Sequence, residues 1–272
     1  MTELFIILGV VFLSFALRSF SNRVLRKVGA LGILVATFLV FYFPTGSIAA
    51  GVGGLLTWFL LPWVELLTRI RRLRLPVDKT LERQTPPGHD RFPALRDMTR
   101  KVEDEGFEHA VDSGWDWDGM NQFYRLFYNP DSREQAAICL TEQEGVSWAC
   151  TTLTSRDAEG AIYRTTDVPF SSPMKNAPGV QINQQPYADS FPKLLKEHRS
   201  WITKLGLPAD DIVEEEPEEL TVLIEQETGR QIKHNLEAGL IRIAEKAGTF
   251  RYSWRGLFYL YFQLVKDMVK MC

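Results

Sequence analysis

The chain has 272 residues, 45% of them hydrophobic and 24% charged, a balance that argues for a folded protein and against a disordered or fibrous one. Its net charge of −3 conceals two halves: residues 1–75 hold eight Lys/Arg against two acids, a balance of +6, and the rest carries −9. The acidic remainder repels phosphate backbones, which argues against nucleic acid as a partner. Three cysteines without CxxC or His-rich spacing argue against a disulfide framework or zinc site, and no metal or cofactor is implied.

Leu4–Leu17 is uncharged and reaches membrane length if it runs on to Phe20, with Arg18 snorkelling to the interface. The acidic Met1-Thr2-Glu3 start and Arg18-Ser-Phe-Ser argue against a cleaved signal peptide. Val28–Phe43 is a second apolar run, and Pro44-Thr45-Gly46-Ser47 reads as a tight turn into a third. From Ser47 to Leu67 the only ionisable side chain is Glu65, and about twenty apolar residues span roughly 30 Å as a helix. Arg69, Arg71, Arg72 and Arg74 come directly after it.

Basic clusters face the cytoplasm, so Arg18–Lys27 and Arg69–Arg74 require an even number of crossings between them. The expectation is three spans, about 3–20, 28–43 and 46–67, within an anchor of residues 1–75. The N-terminus is then outside the cell membrane and everything after residue 75 is cytoplasmic. The alternative makes the first run an interfacial helix and leaves two spans.

Gly29, Gly32 and Ala36 in the second run, and Ser47, Ala50, Gly51 and Gly54 in the third, recur at helical spacing and let backbones approach closely in lipid. They are read as packing the hairpin on itself, with self-association as the competing use. No Asp, Glu, His or Lys lies mid-span, which argues against an ion pathway through one protomer.

Residues 76–90 read as a polar linker broken by Pro86-Pro87-Gly88, and 91–208 as one α+β domain. Pro93 opens a helix that Gly106 stops. Then the apolar period changes to two: 107–112, 122–128, 135–140, 146–153 and 161–166 predict an antiparallel β-meander. Glu144-Gly145 reads as a hairpin turn, which sets Cys139 opposite Cys150. Val168–Pro186, with four prolines, reads as an irregular loop. A helix capped at Asp189 or Ser190 carries Phe191, Leu194, Leu195, His198, Trp201, Ile202 and Leu205 on one stripe and covers one sheet face.

Residues 209–272 read as an acidic hinge plus C-terminal helices. The first covers Leu220–Ala247. The last, Trp254–Met271, is rich in aromatics with Lys266 and Lys270, and either packs on the domain or lies in the membrane interface through Trp254, Phe258 and Phe262. The fold class is therefore α+β, with N-terminal transmembrane helices, a cytoplasmic meander covered by helices, and C-terminal helices.

The chemistry-bearing residues are sparse. His198 beside Trp201 is a candidate base tuned by burial, against the simpler account of a core histidine hydrogen-bonded to backbone. Asp112, Asp116 and Asp118 are candidate cation ligands in a turn-like composition that lacks the closing glutamate of a calcium loop. Asp167 joins His198 as a catalytic candidate. Without a nucleophile, phosphate-loop or metalloprotease motif, the reading leans away from catalysis. The expected function is a binding, scaffold or regulatory module whose partners are the lipid bilayer and other membrane-protein subunits or further copies of itself. The alternative is a membrane-tethered sensor or enzyme with a pocket near the 168–186 loop.

Overall fold

The computed structural model describes residues 2–20, 23–143, 145–245 and 248–271. The chain is α+β with a mixed sheet, and its contacts divide it into two units, residues 1–73 with 257–272, and residues 74–256. No unit boundary falls at residue 209. Residues 209–256 belong with the sheet, and 257–272 group with the N-terminal helices.

The helical unit holds α1 (Thr2–Arg18), α2 (Arg23–Thr45) and α3 (Ile48–Thr68). Val24–Thr45 and Ile48–Arg72 are long and apolar enough to cross a membrane by length and composition. The 17 residues of α1 extend about 25 Å. Pro44 lies within α2 rather than in the turn, which shrinks to Gly46 and Ser47. Gly46 takes φ +65°, where a side chain would be strained, and its N–H donates to the Tyr42 carbonyl at 2.7 Å, capping the helix. The helices meet through their small residues. A Cβ on Gly29 or Gly32 would collide with Ser14 of α1, and one on Gly51 or Gly54 with the rings of Phe38 or Phe41. Ala36 is buried, Ala50 is half-buried, and Ser47 is exposed.

The last helix, α7 (Trp254–Met271), is capped by Ser253, whose Oγ accepts the Gly256 N–H at 3.0 Å. Trp63 of α3 packs edge-on to Phe258 at 4.9 Å and stacks on Tyr261 at 5.1 Å. Phe262 is exposed, as is Trp254 at the start of the helix. The side chain of Lys270 lies outside the described residues.

The other unit opens with β1 (Leu75–Pro76) and β2 (Glu82–Arg83), so the expected linker contributes a short strand to each of two sheets. After α4 (Leu95–Glu103) come β3 (Glu108–Trp117), β4 (Met120–Asn129), β5 (Glu134–Gln143), β6 (Val146–Arg156) and β7 (Ile162–Thr166). These five strands form the expected antiparallel meander. Cys139 pairs with Cys150 in its register; Glu144 of the intervening turn lies outside the described residues.

Three expectations change. Asp112–Gly119 is not a loop, because β3 runs on to Trp117 and only Asp118-Gly119 turns. The 168–186 segment is not wholly irregular: β8 (Val180–Gln184) adds to β7 in parallel, making the sheet mixed. The helix from Leu220, α6, stops at Glu237, because Gly239 turns the chain out at φ +68°. Beyond Gly239 the chain forms a hairpin of β9 (Ile241–Ile243) and β10 (Thr249–Tyr252), which with β1 makes a three-stranded sheet. Ala247 of the expected longer helix lies outside the described residues.

Alternation along the strands gives the large sheet two faces. One carries Phe123, Phe127, Ala136, Ile138, Leu140 and Leu153, closed by Val102 of α4 and by Phe191, Leu194 and Leu195 of α5 (Phe191–Lys204). The other carries Tyr124, Leu126, Tyr128 and Ala137, met by Leu220, Leu223 and Ile224 of α6. Both faces are covered, where the sequence predicted a cover on one.

Candidate functional site

Parallel pairing of β7 with β8 has a geometric consequence. A chain that must re-enter the sheet in the same direction has to cross over one of its faces, and a helix usually makes that crossing. Here residues 167–179 make it, and Pro169, Pro173 and Pro178 keep them out of a helix. The crossover therefore stands off the sheet, and a cavity of about 270 Å³ remains between them. Its floor is Tyr124, Ala137, Cys139, Thr152 and Arg164, its roof Ser172, Asn176 and Ala177, and its side wall Ile224, Glu227 and Gln231 of α6.

Side chains of α6 and β8 hold the roof, and Gln184 Nε2 donates to the Phe170 carbonyl at 2.6 Å. Asn235 of α6 is fully buried, and its Oδ1 accepts the Lys175 N–H at 3.0 Å. Its Nδ2 donates to the Lys175 carbonyl at 2.8 Å and to the Gln231 carbonyl at 2.7 Å. The amide thus pairs with the crossover backbone as a strand would.

The cavity's charges are matched. Glu227 receives both Arg156 and Arg164, and Arg156 also donates to Glu215 and, at 3.3 Å, to Gln135. Burial alone would raise the Glu227 carboxyl, but Arg164 and Arg156 hold it below its ordinary value. Burial wins at Glu215, which is raised. Of these four groups Arg164 and Glu227 line the cavity, and their ion pair leaves its wall polar and without net charge.

On the same face as the floor, the Lys79 ammonium donates to Gln122 Oε1 at 2.7 Å and to the Tyr124 hydroxyl at 3.0 Å, and lies 4.5 Å over the Trp115 ring. Burial pulls Lys79 down to about 8. Tyr124 is pushed up by burial and by the Cys139 thiol. Hydrogen bonding from Cys150 lowers the Cys139 thiol, with Thr141, Lys79 and Tyr124 assisting, while the same pairing raises Cys150. Burial opposes that lowering at Cys139, which lies at the cavity floor.

The residues singled out from the sequence lie elsewhere. His198 is fully buried on the α5 side of the sheet, with Nε2 3.0 Å from Ser155 Oγ and Nδ1 2.8 Å from Thr165 Oγ1. Its partners are hydroxyls, not backbone. Asn183 Nδ2 donates to Thr165 Oγ1 at 3.4 Å, which ties the histidine's partner to β8. Burial pulls His198 down to about 4, so the ring is neutral. Asp167 accepts the Thr151 N–H at 2.8 Å and is raised by burial; it lines a separate hollow of about 190 Å³ with Lys101 and Ser190. Asp112 is bound by Arg125 in a two-bond fork at 2.8 and 2.7 Å, and Asp116 accepts from Asn121. Asp118 lies in the β3–β4 turn. None of Asp116, Asp118, Asp167 and His198 lines the cavity under the crossover. Among the described residues no group of three or more His, Cys, Asp or Glu is arranged to hold a metal ion.

Tyr124, Cys139, Arg164 and Glu227 had no motif to mark them. The available signal was the alternation along β4 to β7, which puts all but Glu227 on one face. Comparison with protein-family models, with curated proteins and with solved structures gives no match to this chain.

Proposed function

We propose that this chain is an integral membrane protein in which three N-terminal helices hold the 74–256 unit at the cytoplasmic face as a binding module for a small polar ligand. It works within an oligomer or a larger membrane complex, regulating or recruiting the partner. The cavity beneath the 167–179 crossover carries the binding reading. It offers hydroxyls, amides and a matched charge pair, with no carboxylate or imidazole set beside its thiol, and this favours binding over catalysis. The membrane reading is supported by the two helices of spanning length and by Phe12, Phe15, Leu31, Leu60 and Val64, which stand exposed where a water-soluble unit would bury them.

Cys139 supplies the test of the cavity. Iodoacetamide should label it in the detergent-purified full chain, read by mass spectrometry, and the sub-kilodalton fraction of a cell extract should slow that labelling. Failure to label Cys139, or labelling that no fraction slows, would overturn the ligand reading. Topology is checked separately by Thr2→Cys in a Cys139→Ser/Cys150→Ser/Cys272→Ser background. An impermeant maleimide should reach residue 2 from outside intact cells, and labelling from inside only would overturn three spans. Co-purification from mild detergent should bring a second subunit or a further copy, and a lone monomer would count against the complex.

A further inference from the structure

The helical unit contains a groove of about 380 Å³ that the proposed function does not use. Leu34 of α2, Phe59 of α3, and Val265 and Met268 of α7 line it, and Arg18 and Lys27 stand at its rim. Arg18 ends α1 and Lys27 lies in the first turns of α2, and both line this groove. Among the described residues neither has a carboxylate partner. Gly29 explains how Arg18 gets there: a Cβ at that position would stand 2.8 Å from Arg18 Cγ, so only a bare backbone lets the arginine stem cross α2.

An apolar trough in a bilayer is filled by acyl chains whatever its chemistry. Two cations without carboxylate partners at one end of it add a condition. A zwitterionic headgroup brings its own ammonium against them, whereas an anionic headgroup leaves its phosphate free to be held by a guanidinium and an ammonium. We propose that this groove is a site for one anionic phospholipid, with an acyl chain along Leu34, Phe59 and Met268 and the phosphate between Arg18 and Lys27. This rests on the membrane reading above.

The test uses the full chain, first reconstituted into dioleoylphosphatidylcholine vesicles. Failure to insert there would overturn the membrane reading and this proposal with it. Native mass spectrometry of the detergent-purified chain, titrated with dioleoylphosphatidylglycerol and with dioleoylphosphatidylcholine, then isolates the site. One tightly held phosphatidylglycerol is expected. Each cation near an anionic headgroup is worth about fivefold, so R18Q/K27Q should weaken its binding about 25-fold while leaving phosphatidylcholine binding and insertion unchanged. Ala30→Phe, which fills the groove with both cations intact, should also displace it. R71Q/R72Q should not. Equal binding of the two lipids, or an R71Q/R72Q loss as large as that of R18Q/K27Q, would overturn the site while leaving the membrane reading intact.

Discussion

On one side of the seven-stranded sheet, α4 and α5 lie on Phe123, Phe127, Ile138 and Leu153 and leave a smaller hollow of about 190 Å³ beside Thr151 and Asp167. On the other, α6 and the 167–179 crossover stand over Tyr124, Cys139 and Arg164 with open space between. The strands are the same; only the parity of the residue differs. The closed side places its titratable ring, His198, between two hydroxyls and leaves it neutral. The open side ties Arg156 and Arg164 to Glu215 and Glu227 and holds the Lys79 ammonium on Gln122 and Tyr124. Burial depth thus does not locate the site. The most deeply buried histidine is a structural member of the closed face, and the cavity lies where the cover is irregular.

The largest effect should come from unbalancing the open side. Glu227→Ala leaves Arg156 and Arg164 facing each other without the carboxylate that both engage. Removing one partner of a buried ion network costs about 3–5 kcal/mol, far more than the intact network contributes. The variant in detergent should therefore show a large drop in thermal midpoint. If Glu227→Ala unfolds no earlier than the parent, the cluster is solvated and the open side is not built around it.

The closed side is tested by acid. The folded pKa of His198, about 4, lies below the unfolded value of 6.5, so between those values the unfolded chain binds the extra proton. Stability is therefore retained above pH 6.5 and lost as pH falls toward 4, by about 3 kcal/mol for a shift of this size. His198→Phe should be less stable at pH 7.5, because it orphans the Ser155 and Thr165 hydroxyls, yet its stability should decline less between pH 6.5 and 4. A variant with the parent's full acid sensitivity would show that the ring is protonated in the folded state.

The asymmetry of the faces also explains what the sequence reveals. The α5 stripe from Phe191 to Ile202 and the alternating strands β3 to β7 are local patterns, and the antiparallel register carries Cys139 to Cys150 once the turn is placed. β8 is different. Val180-Gln-Ile-Asn-Gln is flanked by Gly179 and Pro186, and its strand character comes from a partner reached only across a crossover. The cavity inherits that opacity, since it exists because residues 167–179 cross one face without forming a helix. Glu227 reads as one more polar position in a weakly patterned helix until Arg156 and Arg164 are brought beneath it. Asp112-Ser-Gly-Trp-Asp-Trp-Asp-Gly misleads for the converse reason: its turn-like composition is overridden by nine residues of pairing to β4 and by the Arg125 fork.

The smallest effect sharpens the comparison most, because it touches the roof and none of the α5 side. Asn235→Ala removes three hydrogen bonds, one of them to the Gln231 carbonyl of its own helix, but the Lys175 backbone held by the other two lies at an exposed residue and can turn to water. The cost is then about 1–2 kcal/mol, at the lower end for buried polar groups losing their partners. Its consequence should be local. Amides of residues 168–179 should exchange faster with solvent, and Cys139 should react faster with iodoacetamide, while amides of α5 around His198 keep their protection. Faster exchange on both sides of the sheet would mean that the crossover is part of one cooperative core. Faster exchange under the roof alone would mean that the cavity opens by itself.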